Sequence, residues 1–495
     1  MCKQRLSRTS LAGQQSTAMR LVLEVALLGA LFQPIPQLAT AEETSVPRRN
    51  LVYIMTDQQH AGMMSCTGNK YLQTPAMDSL AAQGVRFERA YASNPVCIPS
   101  RLGMMTGRMP SYFGVTSNRP RPTPMPAEAL QQSLGWTFRN AGYETVFGGK
   151  THWPRGMNLQ TIGFEPLTPD ERDGLAEACV QFLKRPHEKP FLLVASFINP
   201  HDICFLAIDD FTRATQQPRM YPQCTVERET LAKAAQLPAN VSRDEFFREL
   251  CPLLPANYEV PPEEPACIAA KYLGKSFREF ARRTWSDEQW RLHRWAYCRL
   301  TEAVDQQIGK LLTALRETGL AENTVVVFSS DHGDLDAAHR LEHKSILYEE
   351  SVRVPFIVSG PQVTRAGLVD DRHLVAAGID LFPTLCDFAG VTPPANLPGS
   401  SVKALAEGRE PSSWREFVVA ESDFGRMVRT ERYKYVVYDS GANREQLVDL
   451  RNDPGEMRNL AQDPSAQSVL QEHRQRLQQW VREVEDRVAG EYLVP

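Results

Sequence analysis

The sequence predicts an α/β fold: a large, mostly parallel β-sheet sandwiched by helices, followed by a smaller C-terminal subdomain with an antiparallel sheet and a helix. Three observations indicate this. Apolar β-branched runs alternate with helical patterns, which is typical of parallel sheets. Polar residues directly follow several of the predicted strands, where open α/β sheets bind their ligands. The chain of 495 residues is also long enough for more than one hydrophobic core.

Four apolar runs are typical of buried strands, and we predict strands at 51–55, 191–197, 324–329 and 354–359. Thr74-Pro75 predicts the start of a helix that ends before Gly84, because proline is favoured at the first helical position. A long helix is predicted over 295–319, where apolar residues recur at helical spacing. Strands and helices thus alternate along most of the chain.

The first 45 residues are predicted to be a signal peptide and N-terminal extension. The apolar run 21–32 is too short to span a bilayer comfortably, and the small residues 39–41 fit a cleavage site. Either Met1 or Met19 could be the true start. We therefore expect an exported protein, periplasmic or secreted, without stable membrane insertion; a signal anchor is the alternative.

Residues 46–392 are predicted to form the main domain, and residues 393–495 the C-terminal subdomain. Within the main domain, 202–290 is rich in proline and charge and is expected to be an irregular insertion over the functional site. The C-terminal subdomain is expected to contain short antiparallel strands and a closing helix, at 417–421, 427–430, 433–438 and 465–487.

Overall charge and cysteine content exclude several function classes. A net charge of −4 creates no long-range field that would recruit nucleic acid or acidic membranes, so no nucleic-acid partner is expected.

The ten cysteines show no metal-binding spacing. Because export permits disulfides, the four cysteines of the insertion could form one or two, in pairings that the sequence leaves open: Cys204, Cys224, Cys251 and Cys267.

The pentapeptide Cys97-Ile98-Pro99-Ser100-Arg101 is the most informative motif of the chain. Pro99 suits the first turn of a helix, where its missing N–H costs nothing. Cys97 would then lie at a helix N-terminus, where the dipole and the free N–H groups favour an anionic substrate. An ordinary buried cysteine before a helix is the alternative.

Two dipeptides, Asp57-Gln58 and Asp331-His332, follow predicted strands far apart in the chain. Hard divalent cations bind several oxygen ligands, at least one of them anionic, so the two pairs predict a metal site. For each dipeptide alone, a strand-ending turn is the alternative.

Lys150 and His152 alternate on a segment expected to be extended, so their side chains can point to one side. A solvated loop is the alternative for this pair.

These motifs together resemble the type I, formylglycine-dependent sulfatases of the alkaline phosphatase superfamily, and the resemblance covers most of 50–460. His201, in Asn-Pro-His-Asp, and Lys344, in Glu-His-Lys-Ser, also resemble family positions. The resemblance implies that a maturation enzyme oxidises Cys97 to Cα-formylglycine, whose hydrate attacks sulfur. It implies hydrolysis of a sulfate ester to an alcohol and inorganic sulfate.

The resemblance also implies one divalent cation, most often Ca2+, held by five residues: Asp57, Gln58, Cys97, Asp331 and His332. Many family members have aspartate where Gln58 stands and asparagine where His332 stands. Fewer anionic ligands and one nitrogen weaken the preference for calcium and leave Mn2+ or Mg2+ open.

The remaining implied roles concern the substrate. Arg101, Lys150 and Lys344 would stabilise charge on the sulfate oxygens. His201 or Lys344 would protonate the leaving oxygen, and His152 would be the base that breaks down the sulfated intermediate.

We expect the substrate to be a small or oligomeric sulfated carbohydrate. A choline or aryl sulfatase is an alternative, as is a phosphodiester or phosphonate monoester hydrolase of the same superfamily, which Gln58 and His332 support. Lys150 and His152 favour a sulfatase, because the phosphonate hydrolases replace them. A silent sulfated-glycan-binding relative is the non-enzymatic alternative, which the intact Cys97 motif disfavours.

Overall fold

A large mixed sheet and a small antiparallel sheet contain most of the strands. The structure is a computed structural model that describes residues 48–120, 123–490 and 492–494, so the prediction for residues 1–45 lies outside the described residues. In chain order the strands are β1 (Asn50–Asp57), β2 (Gly84–Phe87), β3 (Ala90–Tyr91), β4 (Glu144–Gly149), β5 (Glu165–Pro166), β6 (Phe191–Pro200), β7 (Thr324–Ser330), β8 (Phe356–Ser359), β9 (Leu368–Asp370), β10 (Val375–Ala376), β11 (Phe417–Glu421), β12 (Gly425–Thr430), β13 (Tyr433–Tyr438) and β14 (Glu445–Asp449).

The large sheet has the strand order β5-β4-β6-β1-β7-β8-β2-β9. The strands from β5 to β7 are all parallel, whereas β8 runs antiparallel to both of its neighbours and β9 is parallel to β2. The four predicted strands correspond to β1, β6, β7 and β8, and the predicted fold class is confirmed. The antiparallel direction of β8 is the feature that the pattern of apolar runs did not predict.

The helices cover both faces of this sheet. In chain order they are α1 (Pro75–Gln83), α2 (Cys97–Thr106), α3 (Ala127–Gln131), α4 (Leu134–Asn140), α5 (Leu175–Lys184), α6 (Cys204–Thr215), α7 (Thr225–Ala234), α8 (Arg243–Glu245), α9 (Ser276–Thr284), α10 (Asp287–Glu317), α11 (Glu349–Val352), α12 (Ala377–Ala389), α13 (Lys403–Ala406) and α14 (Gln467–Glu483). Within the described ranges, none of them combines the length and the apolar character needed to cross a membrane.

Strand β1 lies at the centre of the sheet and contributes to two hydrophobic cores. Its residues alternate between the two faces, as in any strand. Leu51 and Tyr53 pack with residues of α2, α4 and α12, whereas Val52 and Ile54 pack with residues of α1, α5 and α10. All four side chains are fully buried, so helices cover β1 on both sides.

The long helix α10 begins eight residues before the predicted start at residue 295. Ser286 and Gln289 form a capping box, in which the Ser286 hydroxyl accepts from the Gln289 N–H and the Gln289 side chain accepts from the Ser286 N–H. This reciprocal pairing satisfies two N-terminal N–H groups and fixes the start of the helix.

The insertion 202–290 is mostly helical, so the predicted irregular structure is wrong. It contains α6 to α9, the first turn of α10 and two short π-helical turns, Phe246–Leu250 and Ile268–Tyr272. Its apolar residues, among them Phe205, Ile208 and Trp285, form a cluster of their own. The prolines that suggested irregular structure are confined to the connections between these helices.

The C-terminal sheet has the order β11-β12-β13-β14 and is antiparallel throughout, and α14 packs against it. Strands β11, β12 and β13 confirm the three predicted strands, while β14 was not predicted. This sheet shares a hydrophobic cluster with the main domain, since Met427 and Val436 pack with Tyr91 and Leu347. The boundary after residue 392 stays a prediction.

The cysteines of the insertion are all free thiols. Three of them belong to separate packing clusters, Cys224, Cys251 and Cys267, while Cys204 contacts Gln58. The disulfides that the sequence allowed are therefore not formed within the described residues.

Candidate active site

The side chains singled out in the sequence meet at the carboxyl edge of the large sheet. Asp57 is the last residue of β1, and Asp331 directly follows β7. Lys150 directly follows β4 and His201 directly follows β6. Cys97 is the first residue of α2, as predicted. Because the carboxyl ends of parallel strands lie at one edge, residues far apart in the chain form one site.

Four buried residues form a cluster that could hold a metal ion: Asp57, Cys97, Asp331 and His332. Their potential ligand atoms all lie within 4.8 Å of one another. The Nδ1 of His332 lies 2.9 Å from the carbonyl oxygen of Gly333. This contact fits an Nδ1–H donor and leaves Nε2 free as a ligand, as is usual for metal-binding histidines. Nε2 lies 3.2 Å from the Sγ of Cys97.

Arg101 connects the two carboxylates of this cluster. Its Nη2 donates to Asp57 Oδ2 and its Nε to Asp331 Oδ2, each at 2.8 Å. Its Nη1 donates to the carbonyl oxygen of Lys150 at 2.7 Å and to Ser196 Oγ at 2.8 Å. The side chain is fully buried. Arg101 thus contacts both carboxylates, and its predicted contact with the sulfate oxygens stays a prediction. Ser196 is a partner that the sequence did not indicate.

Two lysines reach the cluster from different loops. Lys150 Nζ lies 2.7 Å from Asp57 Oδ2. Lys344 Nζ donates to Cys97 Sγ at 3.1 Å and to Gln58 Oε1 at 2.6 Å. Both predicted sulfate-binding lysines thus approach the cluster, and Lys344 contacts Cys97 directly.

The environment of Cys97 favours a negative charge. Burial and the charge of Asp57 would raise the pKa of its thiol, but Lys344, Lys150 and His332 outweigh them and hold the pKa well below its usual range. A side-chain atom at this position therefore lies where an anion is stabilised.

The two aspartates differ in their electrostatic surroundings. Burial would raise the pKa of Asp57, but Lys150 and Arg101 outweigh it and hold that pKa well below its usual range. The pKa of Asp331 is raised, because burial and the charge of Asp57 outweigh His332 and Arg101. The negative charge of an ionised Asp331 is therefore incompletely balanced by the protein, and a bound cation would balance it and lower the pKa of Asp331. The donor set and its charge fit a divalent metal ion.

Gln58 lies beside the cluster with a left-handed backbone, φ 70°. Its Nε2 donates to Asp334 Oδ2 at 2.6 Å, and its Oε1 accepts from Lys344 and from the Cys204 thiol. Its role as a metal ligand stays a prediction. Asp334 is a buried partner of Gln58 that the sequence indicated only by its place three residues after Asp331.

The loop that carries Lys344 has an unusual backbone. Positive φ angles between 44° and 94° occur at Asp336, Ala337, His339, Arg340, His343 and Ser345. Residues other than glycine rarely adopt this left-handed region. Gly333, at the start of the loop, packs so closely on the Glu350 carbonyl that no Cβ could fit. Close packing and local strain thus position Lys344.

A cavity of about 770 Å³ opens beside the cluster and is lined by His152, His201 and Lys344, among others. The predicted extended alternation of Lys150 and His152 is wrong, since Gly149 and His152 have φ angles of 90° and 43°. Lys150 nevertheless reaches Asp57, while His152 is exposed at the cavity wall.

The surroundings of His201 disfavour a positive charge on its imidazole while no anion is bound. Burial, followed by the charge of Lys150, lowers its pKa well below the usual value. In contrast, Cys97, Cys204 and Asp57 outweigh burial and raise the pKa of Lys344, which keeps its Nζ protonated.

Comparison with known proteins identifies the family. A family model described as Sulfatase matches residues 49–391, and one described as N-sulphoglucosamine sulphohydrolase, C-terminal, matches residues 337–483. The chain belongs to the sulfatase family. It is therefore a sulfuric ester hydrolase, and the predicted reaction class is confirmed.

Similar proteins support this assignment over nearly the whole chain. This sulfatase is 32% identical to a Delta 4,5-hexuronate-2-O-sulfatase of Bacteroides thetaiotaomicron, over 88% of the chain and 89% of the relative. The solved structure of a 2-O GAG sulfatase superimposes with a TM-score of 0.73 at 30% identity, covering 89% of this chain and 93% of that one. A phosphonate monoester hydrolase of Agrobacterium radiobacter, 21% identical, shares the fold with a TM-score of 0.67 over 88% and 96% of the two chains.

Proposed function

We propose that this sulfatase hydrolyses a sulfate ester of a carbohydrate, with Cys97 converted to Cα-formylglycine by a maturation enzyme. The observation that carries the proposal is the position of the Cys97 side chain. Its Sγ lies at the start of α2, 3.1 Å from Lys344 Nζ and 3.2 Å from His332 Nε2. In the matured enzyme the hydrated aldehyde would supply the nucleophile for sulfur from this position.

Asp57, Asp331, His332 and the matured Cys97 would hold one divalent cation, with Gln58 as a further candidate ligand. Calcium is the first choice, and the imidazole of His332 leaves manganese or magnesium open. When bound, the ion would neutralise charge on the sulfate oxygens. Arg101 would keep both carboxylates oriented toward the ion.

The remaining side chains would act on the substrate. Lys150 and Lys344 would bind sulfate oxygens, since both ammonium groups face the cluster. His201 or Lys344 would give a proton to the leaving oxygen, because both line the cavity that would receive the alcohol part. For His201 this requires the negative charge of the bound sulfate ester, which would raise its pKa again. His152 would accept the proton whose removal releases sulfate.

A carbohydrate is supported as the substrate class by the cavity and by the hexuronate sulfatase relative. We further propose that residues 1–45 direct export, so that the enzyme meets extracellular sulfated glycans in the periplasm or after secretion. Residues 46–392 would then carry the catalytic site and residues 393–495 would form a supporting subdomain.

Mass spectrometry of the peptide that contains Cys97 tests the proposal, combined with measurement of sulfate release. We expect the mass of the aldehyde in active preparations and no turnover by Cys97→Ala. Cys298→Ala is the matched control, because it also removes a buried thiol but lies in α10, in the separate cluster of the insertion. An unmodified Cys97 in fully active enzyme would refute the formylglycine assignment.

The alternative of a phosphodiester or phosphonate monoester hydrolase is supported by Gln58 and His332. Rates on 4-nitrophenyl sulfate and on an aryl phosphodiester separate the two functions. We expect the sulfate to be the better substrate, because Lys150 reaches Asp57 and His152 lines the cavity. A preference for the phosphodiester by tenfold or more would reverse the assignment.

A further inference from the structure

The wall of the cavity beyond the catalytic cluster is strongly cationic. Arg119, Lys275, Arg278 and Lys344 all line it, and Asp423 is the only acidic residue among the described lining residues. Asp423 is already paired, since its Oδ2 lies 3.1 Å from Arg119 Nη2. The cavity thus carries more positive charge than the ester sulfate bound at Lys150 and Lys344 would require.

Lys275 and Arg278 belong to one structural unit, the N-terminus of α9. Lys275 is the N-cap residue of this helix, and its ammonium group has no acidic partner among the described residues. The N–H groups of Ser276 and Phe277 likewise have no acceptor within the described part of the chain. Helix N-termini of this kind attract anions, because free N–H groups and the helix dipole act together.

Arg278 adds a second, independent observation. Its side chain is only 6% exposed, yet its Nε has no hydrogen-bond partner. The guanidinium lies 4.0 Å from the ring centroid of Tyr272, and its Nη1 donates to the Tyr272 carbonyl only at 3.5 Å. A buried guanidinium with so few protein acceptors is costly, so a ligand that supplies an acceptor at the end of Arg278 that lines the cavity would be bound favourably.

The electrostatic surroundings of Lys275 agree with this interpretation. Its pKa is lowered by partial burial, and Arg278, Lys344 and Arg119 lower it further. Arg119 is balanced by Asp423, but no carboxylate among the described lining residues balances Lys275 and Arg278, and a bound anion would raise the pKa of Lys275 again.

Apolar side chains also line this cavity. Phe205, Ile208, Phe277 and Phe424 line the same cavity. Such surfaces accept the C–H face of a sugar ring, while polar groups at the rim orient its substituents. The cavity therefore combines apolar side chains with two groups of cationic side chains, at Lys344 and at α9.

We propose that Lys275, Arg278 and the N-terminus of α9 form an oxyanion subsite that selects a sugar carrying a second negative group beside the ester sulfate. The proposal rests on the proposed function and names its substrate class, an acidic sulfated saccharide. The second group is a carboxylate or another sulfate, since both present oxyanions to cationic donors. A neutral sugar would leave these cations desolvated without a partner.

Three probes distinguish the sources of the oxyanion: a Δ4,5-hexuronate 2-sulfate, its carboxyl-reduced counterpart, and a hexose 2,6-disulfate. Sulfate release and calorimetric binding are measured for the wild type, for Lys275→Gln and for Lys275→Arg. Lys233→Gln is the matched control, because Lys233 is an exposed lysine of α7 in the same insertion but does not line the cavity.

We expect Lys275→Gln to lose about tenfold to a hundredfold in kcat/KM and in affinity for the dianionic probes, the usual value of a charge-assisted contact. The reduced, monoanionic probe should change less than threefold, and Lys275→Arg should recover most of the loss. A loss confined to the hexuronate identifies the carboxylate, and a loss on both dianions identifies a general oxyanion site.

Equal losses on the monoanionic and dianionic probes, or no loss on any of them, would overturn the subsite. That result is separable from a failure of the proposed function, in which the wild type would release no sulfate from any probe. Arg278→Lys provides an additional test, since it keeps the charge but removes the planar guanidinium. We expect it to weaken only the dianions.

Discussion

Replacement of Arg101 by methionine is expected to destabilise the protein strongly. The change removes four hydrogen bonds, two of them to buried carboxylates, and leaves Asp57 and Asp331 without the cation that joins them. Loss of one partner from a buried ion pair costs about 3–5 kcal/mol. Because Asp331 already has a raised pKa, it should take up a proton in the variant. The native state then binds more protons than the unfolded state, so the loss should grow as the pH rises.

Denaturant unfolding at pH 5 and pH 8, with chelator and with calcium, measures this effect. Calcium at about 100 times its Kd should restore about 2.7 kcal/mol, because it binds only the native state. Arg139→Met is the matched control: its pair with Glu165 lies at the surface, with 34% and 63% exposure, and should be worth about 1 kcal/mol or less. An Arg101→Met protein within about 1 kcal/mol of the wild type at pH 8 would show that the carboxylates do not depend on Arg101.

Three further predictions concern the metal, the leaving group and pH. Chelation should abolish sulfate release, and added calcium should restore it in the wild type. Asp173→Ala, which changes an exposed aspartate, is the control and should also recover. Asp331→Ala should stay inactive at the same calcium level. His201→Ala should lose about 10²–10⁴-fold on a sugar sulfate but much less on a nitrophenyl sulfate, whose phenolate leaves without a proton; equal losses would shift the proton donation to Lys344. Burial raises the pKa of Asp305 from 3.8 to about 6, so wild-type unfolding free energy should fall by up to about 3 kcal/mol between pH 4 and pH 6 relative to Asp305→Asn. Parallel pH profiles for these two proteins would contradict the assignment.

Elements of the fold that depend on local signals could be predicted from the sequence. Strand β1 was predicted at 51–55 and spans Asn50–Asp57, because a continuous apolar run is a strong strand signal. The start of α10 was missed, although Ser286 and Gln289 carry the capping-box signature. In the insertion, the many prolines indicated irregular structure, and the apolar residues of α6 and α9 were not recognised as a local core.

The residue content of the site could also be predicted, but its contacts could not. Motif residues identified Asp57, Cys97 and Asp331, and topology brings them together. The partners of Arg101 lie 44 and 230 residues away in the chain, so no local pattern indicates which carboxylates it joins. The role of Asp334 likewise depends on a loop backbone that no spacing rule describes.

The left-handed backbone positions on both sides of Lys344 have a consequence for how this enzyme can evolve. Side chains branched at Cβ are disfavoured at positive φ, so Val, Ile and Thr should be depleted at Ala337, Arg340 and Ser345 in a library selected for activity. Glycine and asparagine should be tolerated there, since both adopt this conformation more easily. Backbone conformation alone would thus restrict the accessible sequences of a segment whose neighbour, Lys344, contacts Cys97. The number of substitutions tolerated at each position of this segment would depend more on its φ angle than on its distance from Cys97.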